Sequence, residues 1–378
     1  MGYSLLHIAE WILFLCVAIS TGYLLLFAFL GCFRKSVEED EEDTEAEKQH
    51  RMAIVIQTHA APTDWDRLLE MYHRQTYPPE LFKILIATSI PTEELSPALS
   101  RQAILIPIEK DASAGRVVQS AFASLSEQAY DLFVFLDASA KISQDLLAQI
   151  NTAYNQSPSV FQLHRMYTDR HTYPVLWNAV GEEIRRSISG RGHNTCGFSA
   201  SLEESGFVLE GDWLEENRDE LPEDLTCQQL ELYLAADRQY IQFQDHIQLK
   251  YKEEIRPSAF YRRQRRAFRT QYKSLLNALG RLPEGICSLN ADLTDRCIQW
   301  AILPPVWLVH LLIFMALLTT WLQWTLALKW WGLLVLLLFA LALATPDYLV
   351  DKPFNKAMKR TPFYIPGWFL SLFSKPSA

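Results

Sequence analysis

An acidic residue, Asp137, directly follows the apolar run Leu132–Leu136, and Ser139 comes two positions later. A short apolar run of this kind predicts a buried strand, so Asp137 lies at its carboxyl end. Open α/β sheets bind ligands beyond the carboxyl ends of their strands, where a carboxylate is placed to meet a ligand. The alternative is that Asp137 caps the helix predicted at Asp145–Ala153. Because residues 143 and 144 lie closer to that helix, we favour the ligand role.

A second acidic pair, Glu223 and Asp224, follows Pro222. A carboxylate can accept a proton as a general base. The same triplet is also an ordinary helix start, because proline suits the first turn and the helix dipole favours acidic residues there. The local pattern alone favours the helix start.

The elements that would position these groups alternate between strands and helices from Arg51 onward, which predicts an α/β fold with a mostly parallel sheet. A fourth strand leads into Asp137, and an amphipathic helix at Gly115–Gln128 precedes it. The first three predicted strands are Ala53–Gln57, Phe82–Ala87 and Ala103–Pro107.

Three long apolar segments flank this part of the chain, and each is long enough to cross a membrane. The first is Leu5–Leu30, which we read as an anchor because it is too long for a signal peptide and has no basic residue before it. The others, Ala301–Trp324 and Trp330–Thr345, are predicted to form a hairpin linked by Thr325–Lys329.

Basic residues near the ends of the apolar segments predict the orientation, since cytosolic flanks are rich in Lys and Arg. They follow the first segment, precede the second and follow the third, so all three flanks are expected in the cytosol. The formal net charge is −9, and much of it comes from the acidic stretch Glu38–Glu47, which we interpret as a solvated tether. The basic residues concerned are Arg34, Lys35, Arg256–Lys273, Lys352, Lys356, Lys359 and Arg360.

Several stretches together resemble the membrane-bound family 2 glycosyltransferases, which include the cellulose, hyaluronan and poly-N-acetylglucosamine synthases and ceramide glucosyltransferase. The similar stretches, which cover nearly the whole chain in the family's order, are RQTYPPELFKILIA, FVFLDASAKIS, GRGHNTCGFSASLEESG, LPEDLTCQQLELYLAADRQYIQF and YKEEIRPSAFYRRQRRAF. The resemblance implies a GT-A, Rossmann-like domain flanked by transmembrane helices.

The resemblance also implies roles for individual residues. Asp224 matches the base that accepts the acceptor hydroxyl's proton during transfer with inversion, and Glu223 stands beside it. Asp137 matches the first carboxylate of the metal-binding pair, for Mg²⁺ or Mn²⁺, whereas Ser139 replaces the second. Arg116 stands where the family often has a phosphate-binding Lys.

The last motif departs further from the family's QxxRW pattern. Gln264 is retained, but Ala267 and Phe268 replace Arg and Trp, so Arg265 or Arg266 would have to supply the positive charge. The Asp expected after the second strand is also missing, because the chain reads Ala87-Thr88-Ser89 there.

Three functions remain open. The first is an inverting glycosyltransferase that moves a sugar from a nucleotide-sugar donor, UDP-linked by expectation, to a lipid or glycan acceptor. The second is a pseudo-glycosyltransferase that serves as a binding or scaffold subunit in polysaccharide or glycolipid assembly. The third is a membrane-surface interaction protein without a nucleotide site, against which the retained Asp137, Asp224 and Gln264 argue.

The predicted location is the plasma or inner membrane, with the sheet domain in the cytosol. Other polysaccharide-assembly proteins are possible partners, and we expect no nucleic-acid partner. The predicted divisions are a transmembrane helix at 1–33, an acidic tether at 34–50, a glycosyltransferase-like domain at 51–255, interface helices at 256–298, a transmembrane hairpin at 299–346 and an interfacial tail at 347–378.

Overall fold

The computed structural model describes residues 2–33, 48–58, 65–91, 99–109, 112–125, 129–168, 170, 172–252 and 275–360. The chain separates into two compact units. A helical unit contains residues 1–35, 170–198 and 254–378, and an α/β unit contains residues 36–169 and 199–253. Residues 170–198 thus belong with the apolar helices, a grouping that the sequence did not predict.

The α/β unit is built on one sheet, in which the described strands have the order β3-β2-β1-β4-β7-β6-β8-β5. Four of the seven pairings are parallel and three, those of β7 and β5, are antiparallel. The strands are β1 (Met52–Thr58), β2 (Phe82–Thr88), β3 (Ile104–Pro107), β4 (Leu132–Asp137), β5 (Ala140–Lys141), β6 (Val160–Tyr167), β7 (Phe207–Glu210) and β8 (Ile241–Tyr251).

The order β3-β2-β1-β4 is that of a nucleotide-binding Rossmann half-sheet. Strand β1 lies between β2 and β4, and its residues Met52–Ile56 are fully buried, as expected for a parallel strand covered on both faces. Because β7 runs antiparallel to both β4 and β6, strand β6 runs in the same direction as β4. The carboxyl ends of β1, β4, β6 and β8 therefore share one edge.

Helices cover this sheet and fill its core with apolar side chains. One core cluster joins β1 and β4 to helix α4 through Val55, Phe135 and Val118, and it extends to Trp213 and Leu230. The described helices of this unit are α2 (Trp65–His73), α3 (Leu99–Gln102), α4 (Ala114–Ala123), α5 (Leu146–Gln156), α8 (Gly211–Asn217) and α9 (Cys227–Ala236).

The predicted α/β, Rossmann-like class with accompanying apolar helices is confirmed. Each of the four predicted strands is observed within one residue of its predicted ends. The helix predicted at Gly115–Gln128 begins at Ala114 and ends at Ala123. Ser124 is the C-cap residue, and its N–H bonds to the carbonyls of Phe122 and Ser120.

Among its described residues, the helical unit contains three helices that are long and apolar enough to cross a membrane. Helix α1 packs against α13, and α12 packs against α13, around buried Leu308, Leu312, Trp330 and Leu337. The described helices of this unit are α1 (Gly2–Leu30), α6 (Tyr173–Arg186), α7 (His193–Thr195), α10 (275–287), α11 (Ala291–Ala301), α12 (Pro305–Leu322), α13 (Trp324–Ala344) and α14 (352–360).

The predicted link Thr325–Lys329 is wrong, because these residues form the first turns of α13 and the chain turns at Gln323. The charge on Lys329 suggested a loop, but its Nζ lies 2.8 Å from Oε1 of Glu10 on α1. Trp330 donates from Nε1 to the same carboxylate oxygen at 2.9 Å. An ion pair with an indole hydrogen bond thus lets a lysine lie inside an apolar helix.

Glycines allow close packing of α1 on the π-helical turn Ser187–Gly192. A Cβ at Gly192 would lie 2.1 Å from the carbonyl oxygen of Phe27, and one at Gly31 would lie 2.6 Å from the carbonyl oxygen of Ser187. No real Cβ atom tolerates such distances. A side chain at either position would therefore separate α1 from this turn.

A buried polar network also connects α1 with α11. His193, which is fully buried, donates from Nδ1 to the carbonyl of Ile188 at 2.7 Å, and its Nε2 lies 2.8 Å from the Tyr23 hydroxyl. That hydroxyl donates to Oδ1 of Asp295 at 2.9 Å, and the ring of Phe27 stacks on His193 at 3.9 Å. Every one of these groups is desolvated, and their mutual bonds offset that cost.

Candidate functional site

The turn after β4 positions Asp137 at the shared edge of the sheet. Its Oδ1 accepts a hydrogen bond from the backbone N–H of Ser139 at 2.7 Å and another from the Ser139 hydroxyl. A short Asx-type turn therefore fixes the carboxylate three residues before β5 begins. Helix α5 starts only at Leu146, after Asp145, so Asp137 does not cap it.

Helix α4 holds the segment that bears Glu223 and Asp224. The N–H of Gly115 donates to the Leu225 carbonyl at 2.9 Å, and Ser113 and Gln119 donate from their side chains to the carbonyls of Glu223 and Leu221. A Cβ at Gly115 would lie 2.5 Å from the Pro222 carbonyl oxygen, so glycine is needed for this approach. The first turn of α4 and the acidic turn thus form one assembly.

Asp224 stands in this turn rather than in a helix. Helix α9 begins at Cys227, where Thr226 and Gln229 form a reciprocal capping box. The alternative prediction of an ordinary helix start at Pro222 is therefore wrong by several residues. Thr226 is the N-cap of α9 and follows the turn. The Asp224 side chain lies before this cap and is exposed.

Arg116 and Glu223 form an ion pair beside Asp224. Nη1 of Arg116 lies 2.7 Å from Oε2 of Glu223, and the two side chains are 41% and 63% exposed. Within the described part of the chain, the Asp224 carboxylate has neither a hydrogen bond nor an ion pair. An exposed pair of this kind contributes little to stability, so both charges are available to a ligand.

A small open cleft, with a cavity volume of about 10 Å³, lies at the carboxyl ends of β1 and β4. Leu136, which precedes Asp137 in the chain, lines one wall, and Ala114 and Val117 of α4 line another. Gln57, Glu204 and Ser205 add polar groups to the lining. The sequence-predicted Asp137 and Arg116 are thus chain neighbours of lining residues, and the cleft lies where open α/β sheets bind ligands.

A buried polar cluster lies behind the Asp137 turn, on β6 and β8 of the same sheet edge. The guanidinium of Arg165 lies 4.5 Å from the ring centre of Tyr251 and 3.2 Å from Oε2 of Glu203. The Tyr251 hydroxyl lies 3.1 Å from Oγ of Ser205, a residue of the cleft lining. The contact between Tyr251 and Ser205 therefore connects this cluster to the lining of the cleft.

Burial keeps two phenols near this edge protonated. It raises the pKa of Tyr72 far above its ordinary value, and the carboxylate charge of Asp137 raises it further. Burial also raises the pKa of Tyr251, although the nearby Arg165 acts in the opposite direction. The Tyr72 hydroxyl has no hydrogen-bond partner among the described residues.

The side chains near Asp137 fit a metal ion only if a bound ligand supplies part of its coordination. No group of three His, Cys, Asp or Glu side chains is placed to hold a metal within the ranges described. Oδ1 of Asp137 is occupied by Ser139, and Oδ2 receives neither of those bonds. One carboxylate suits Mg²⁺ or Mn²⁺ when the phosphate oxygens of a ligand complete the coordination.

Three of the predicted site residues, Gln264, Arg265 and Arg266, lie outside the described residues. Their predicted roles stay predictions, as do those of Asp137, Ser139, Arg116, Glu223 and Asp224.

Sequence reasoning missed Glu204 and Ser205, which line the cleft because β7 inserts between β4 and β6. The stretch that bears them, GRGHNTCGFSASLEESG, was matched to the family as a whole and not residue by residue. The missing signal was β7 itself, Phe207–Glu210, a strand too short to stand out as a periodic pattern.

A scan against protein-family models found no match, and a search of curated proteins found none. The chain is similar in structure to the mannosyltransferase PcManGT from Pyrobaculum calidifontis, solved with GDP-Man and Mn²⁺, at 15% identity over 89% of this chain and 99% of that chain, with a TM-score of 0.49. It is also similar to TarS 1-349 from S. aureus, solved with UDP-GlcNAc, at 13% identity over 85% of this chain and 89% of that chain, with a TM-score of 0.40. Both TM-scores are below 0.5, so the function is inferred from the residues of this chain.

Proposed function

We propose that the chain is a membrane-bound, inverting glycosyltransferase of family 2 that transfers a sugar from a nucleotide-sugar donor, a UDP-sugar, to a lipid or glycan acceptor at the cytosolic membrane face. The observation that carries this proposal is the acidic turn docked on α4. It presents Asp224 exposed and without a partner in the described residues, while Arg116 of the same assembly lies in the helix whose Ala114 and Val117 line the cleft beyond β1 and β4.

In this mechanism Asp224 accepts the proton of the acceptor hydroxyl as the oxygen attacks the anomeric carbon. The new carbon–oxygen bond forms while the bond to the diphosphate breaks, and the nucleoside diphosphate leaves with the electron pair. Arg116 offsets the charge that develops on the leaving group, and Glu223 holds its guanidinium at 2.7 Å. When bound, Mg²⁺ or Mn²⁺ would be held by Asp137 and would supply further positive charge at the diphosphate.

The membrane location is part of the proposal. Three helices of sufficient length and apolarity support it, and basic residues at their ends favour a cytosolic position for the sheet domain. We place this domain within 51–255, where residues 170–198 group with the apolar helices, and the membrane hairpin at 299–346. The plasma or inner membrane is the proposed compartment.

One observation favours a second candidate, a pseudo-glycosyltransferase that binds a ligand without turnover. The Ser139 hydroxyl donates to Asp137 at the position where the family's second carboxylate is expected. A hydroxyl is a weak ligand for a hard cation, so the diphosphate would lose part of its charge compensation. Such a protein would act as a scaffold subunit in polysaccharide or glycolipid assembly.

Titration of the purified full chain with UDP-sugars, with and without Mg²⁺ or Mn²⁺, tests both candidates. We expect saturable binding that the cation strengthens, together with release of UDP when a lipid extract is supplied as acceptor. Binding without UDP release would favour the pseudoenzyme. Absence of binding under every condition would exclude a nucleotide-sugar site.

In the same titration, Arg116→Gln should weaken donor binding because the diphosphate loses its cation. Arg101→Gln, which removes an exposed cation from the end of α3, is the matched control and should bind like the unaltered chain.

A further inference from the structure

A stripe of four positive charges lies on one face of α14. Its members are Lys352, Lys356, Lys359 and Arg360, spaced so that they fall within about 100° around a helix of 3.6 residues per turn. All four side chains are exposed, and none makes an ion pair or hydrogen bond within the described part of the chain. The helix has no acidic residue. We call these four residues the basic stripe.

The opposite face of α14 is packed, which fixes the direction of the basic stripe. Phe354 and Ala357 are buried against Leu176 and Val180 of α6. The ring of Phe354 lies 6.3 Å from that of Trp177. The stripe therefore points away from the face by which α14 joins its own unit.

The beginning of α14 is anchored as well. The N–H of Phe354 donates to Oδ1 of Asp351 at 2.9 Å, and Oδ2 of Asp351 lies 3.3 Å from Nη2 of Arg170. Asp351, the acidic residue just before the helix, is thus engaged with Arg170 and with the helix start. It is not free to neutralise the basic stripe.

The position of α14 selects the partner. Only a short connection with the turn Asp347–Leu349 separates it from the end of α13, the third helix that is apolar enough to cross a membrane. Lipid phosphates lie at the depth where such a helix ends, and Lys and Arg side chains near an anionic membrane surface are attracted to it. A chain with a net charge of −9 would otherwise be repelled by that surface.

We propose that the basic stripe binds the phosphate groups of anionic lipids and holds this end of the helical unit against the membrane surface. Lipid binding by the basic stripe is a function separate from the proposed sugar transfer, and of the proposed function it requires only the membrane location. It adds a lipid requirement that the chemistry of the cleft does not imply.

The test compares lipid retention by the full chain in neutral detergent, measured by native mass spectrometry with phosphatidylglycerol and phosphatidylcholine at equal concentration. We expect the unaltered chain to retain phosphatidylglycerol preferentially. The variant K352Q/K356Q/K359Q/R360Q should lose that preference by on the order of tenfold, since four surface charges are removed. Raising the salt concentration should weaken the preference in the unaltered chain.

Two further variants keep the proposal falsifiable. K352R/K356R/K359R keeps the charge and should keep the preference, which separates charge from folding. K48Q/R74Q/K83Q/R101Q removes the same charge from exposed positions of the α/β unit and should also keep it. Unchanged phosphatidylglycerol retention in the stripe variant would overturn the proposal. So would a stripe variant that no longer binds a poly-glutamate peptide but still retains phosphatidylglycerol, because the stripe would then bind an acidic protein segment and not lipid.

Discussion

Two sets of charged side chains in this protein have opposite environments. In the helical unit, Arg186 and Glu183 are 2% and 3% exposed and lie 2.8 Å apart, and His193 is buried against Tyr23 and Asp295. At the acidic turn of the α/β unit, the paired side chains of Arg116 and Glu223 are 41% and 63% exposed. The first set is enclosed by its own chain, whereas the second is accessible to solvent.

The difference separates charged groups that stabilise the fold from charged groups that can bind a ligand. A buried charge without its partner bears an uncompensated desolvation cost, so each buried group is committed to its neighbour. An exposed pair gives up little when a ligand replaces one member. Substitutions of the buried charged groups in the helical unit should therefore lower stability, and matched substitutions of the exposed pair at the acidic turn should lower binding or turnover.

The largest effect is expected from Asp224→Asn. An amide cannot accept the proton of the acceptor hydroxyl, so UDP release from a UDP-sugar should fall by about 100-fold or more. Because Asp224 is exposed, thermal unfolding should stay unchanged. Glu220→Gln removes another exposed carboxylate nearby and should keep full turnover. Unchanged turnover in Asp224→Asn would show that another group is the base.

A comparable loss, of stability rather than turnover, is expected from Arg186→Met. The change leaves the buried Glu183 carboxylate without its 2.8 Å partner and should lower the free energy of unfolding by about 3–5 kcal/mol. Arg116→Met breaks the exposed pair and should lower it by at most about 1 kcal/mol. Thermal unfolding of both variants measures the contrast, which equal losses would contradict.

A smaller loss is expected from Gly192→Ala. The new Cβ would meet the Phe27 carbonyl at 2.1 Å and should lower stability by about 1–3 kcal/mol as α1 moves away. Gly181→Ala is the control, since nothing lies within 4 Å of its Cβ in the middle of α6. That substitution should raise stability by about 0.5–1 kcal/mol, because alanine favours a helix. A stable Gly192→Ala variant would mean that the packing can relax.

The elements that sequence predicted well are those with a strong local pattern. Strand β1 reads as a continuous apolar run because both of its faces are covered. Pattern also located the end of β4, and with it Asp137. In contrast, a charge inside α13 misled the prediction of the hairpin link. The partner of Lys329 is Glu10, 319 residues away, and local pattern carries no information on so distant a partner.

The candidate site was predictable only in part for the same reason. Asp137 and Asp224 were found by motif, but the docking of α4 on the acidic turn depends on Gly115 and the Leu225 carbonyl, which are far apart in sequence. Glu204 reaches the cleft through the antiparallel insertion of β7, which no periodicity announces. Which residues are neighbours on adjacent strands depends on the strand order, and the strand order is set by the tertiary structure and not by local sequence.

The pairing of Glu10 with Lys329 has a consequence for synthesis. A ribosome adds roughly 5–20 residues per second, so the 319 residues between them take roughly 15–65 s to make. Throughout this interval the nascent α1 carries a carboxylate that has neither its lysine nor the indole of Trp330. Helix α1 thus completes this contact only when α13 has been made, and a truncated chain that ends before α13 keeps that carboxylate without its counter-ion.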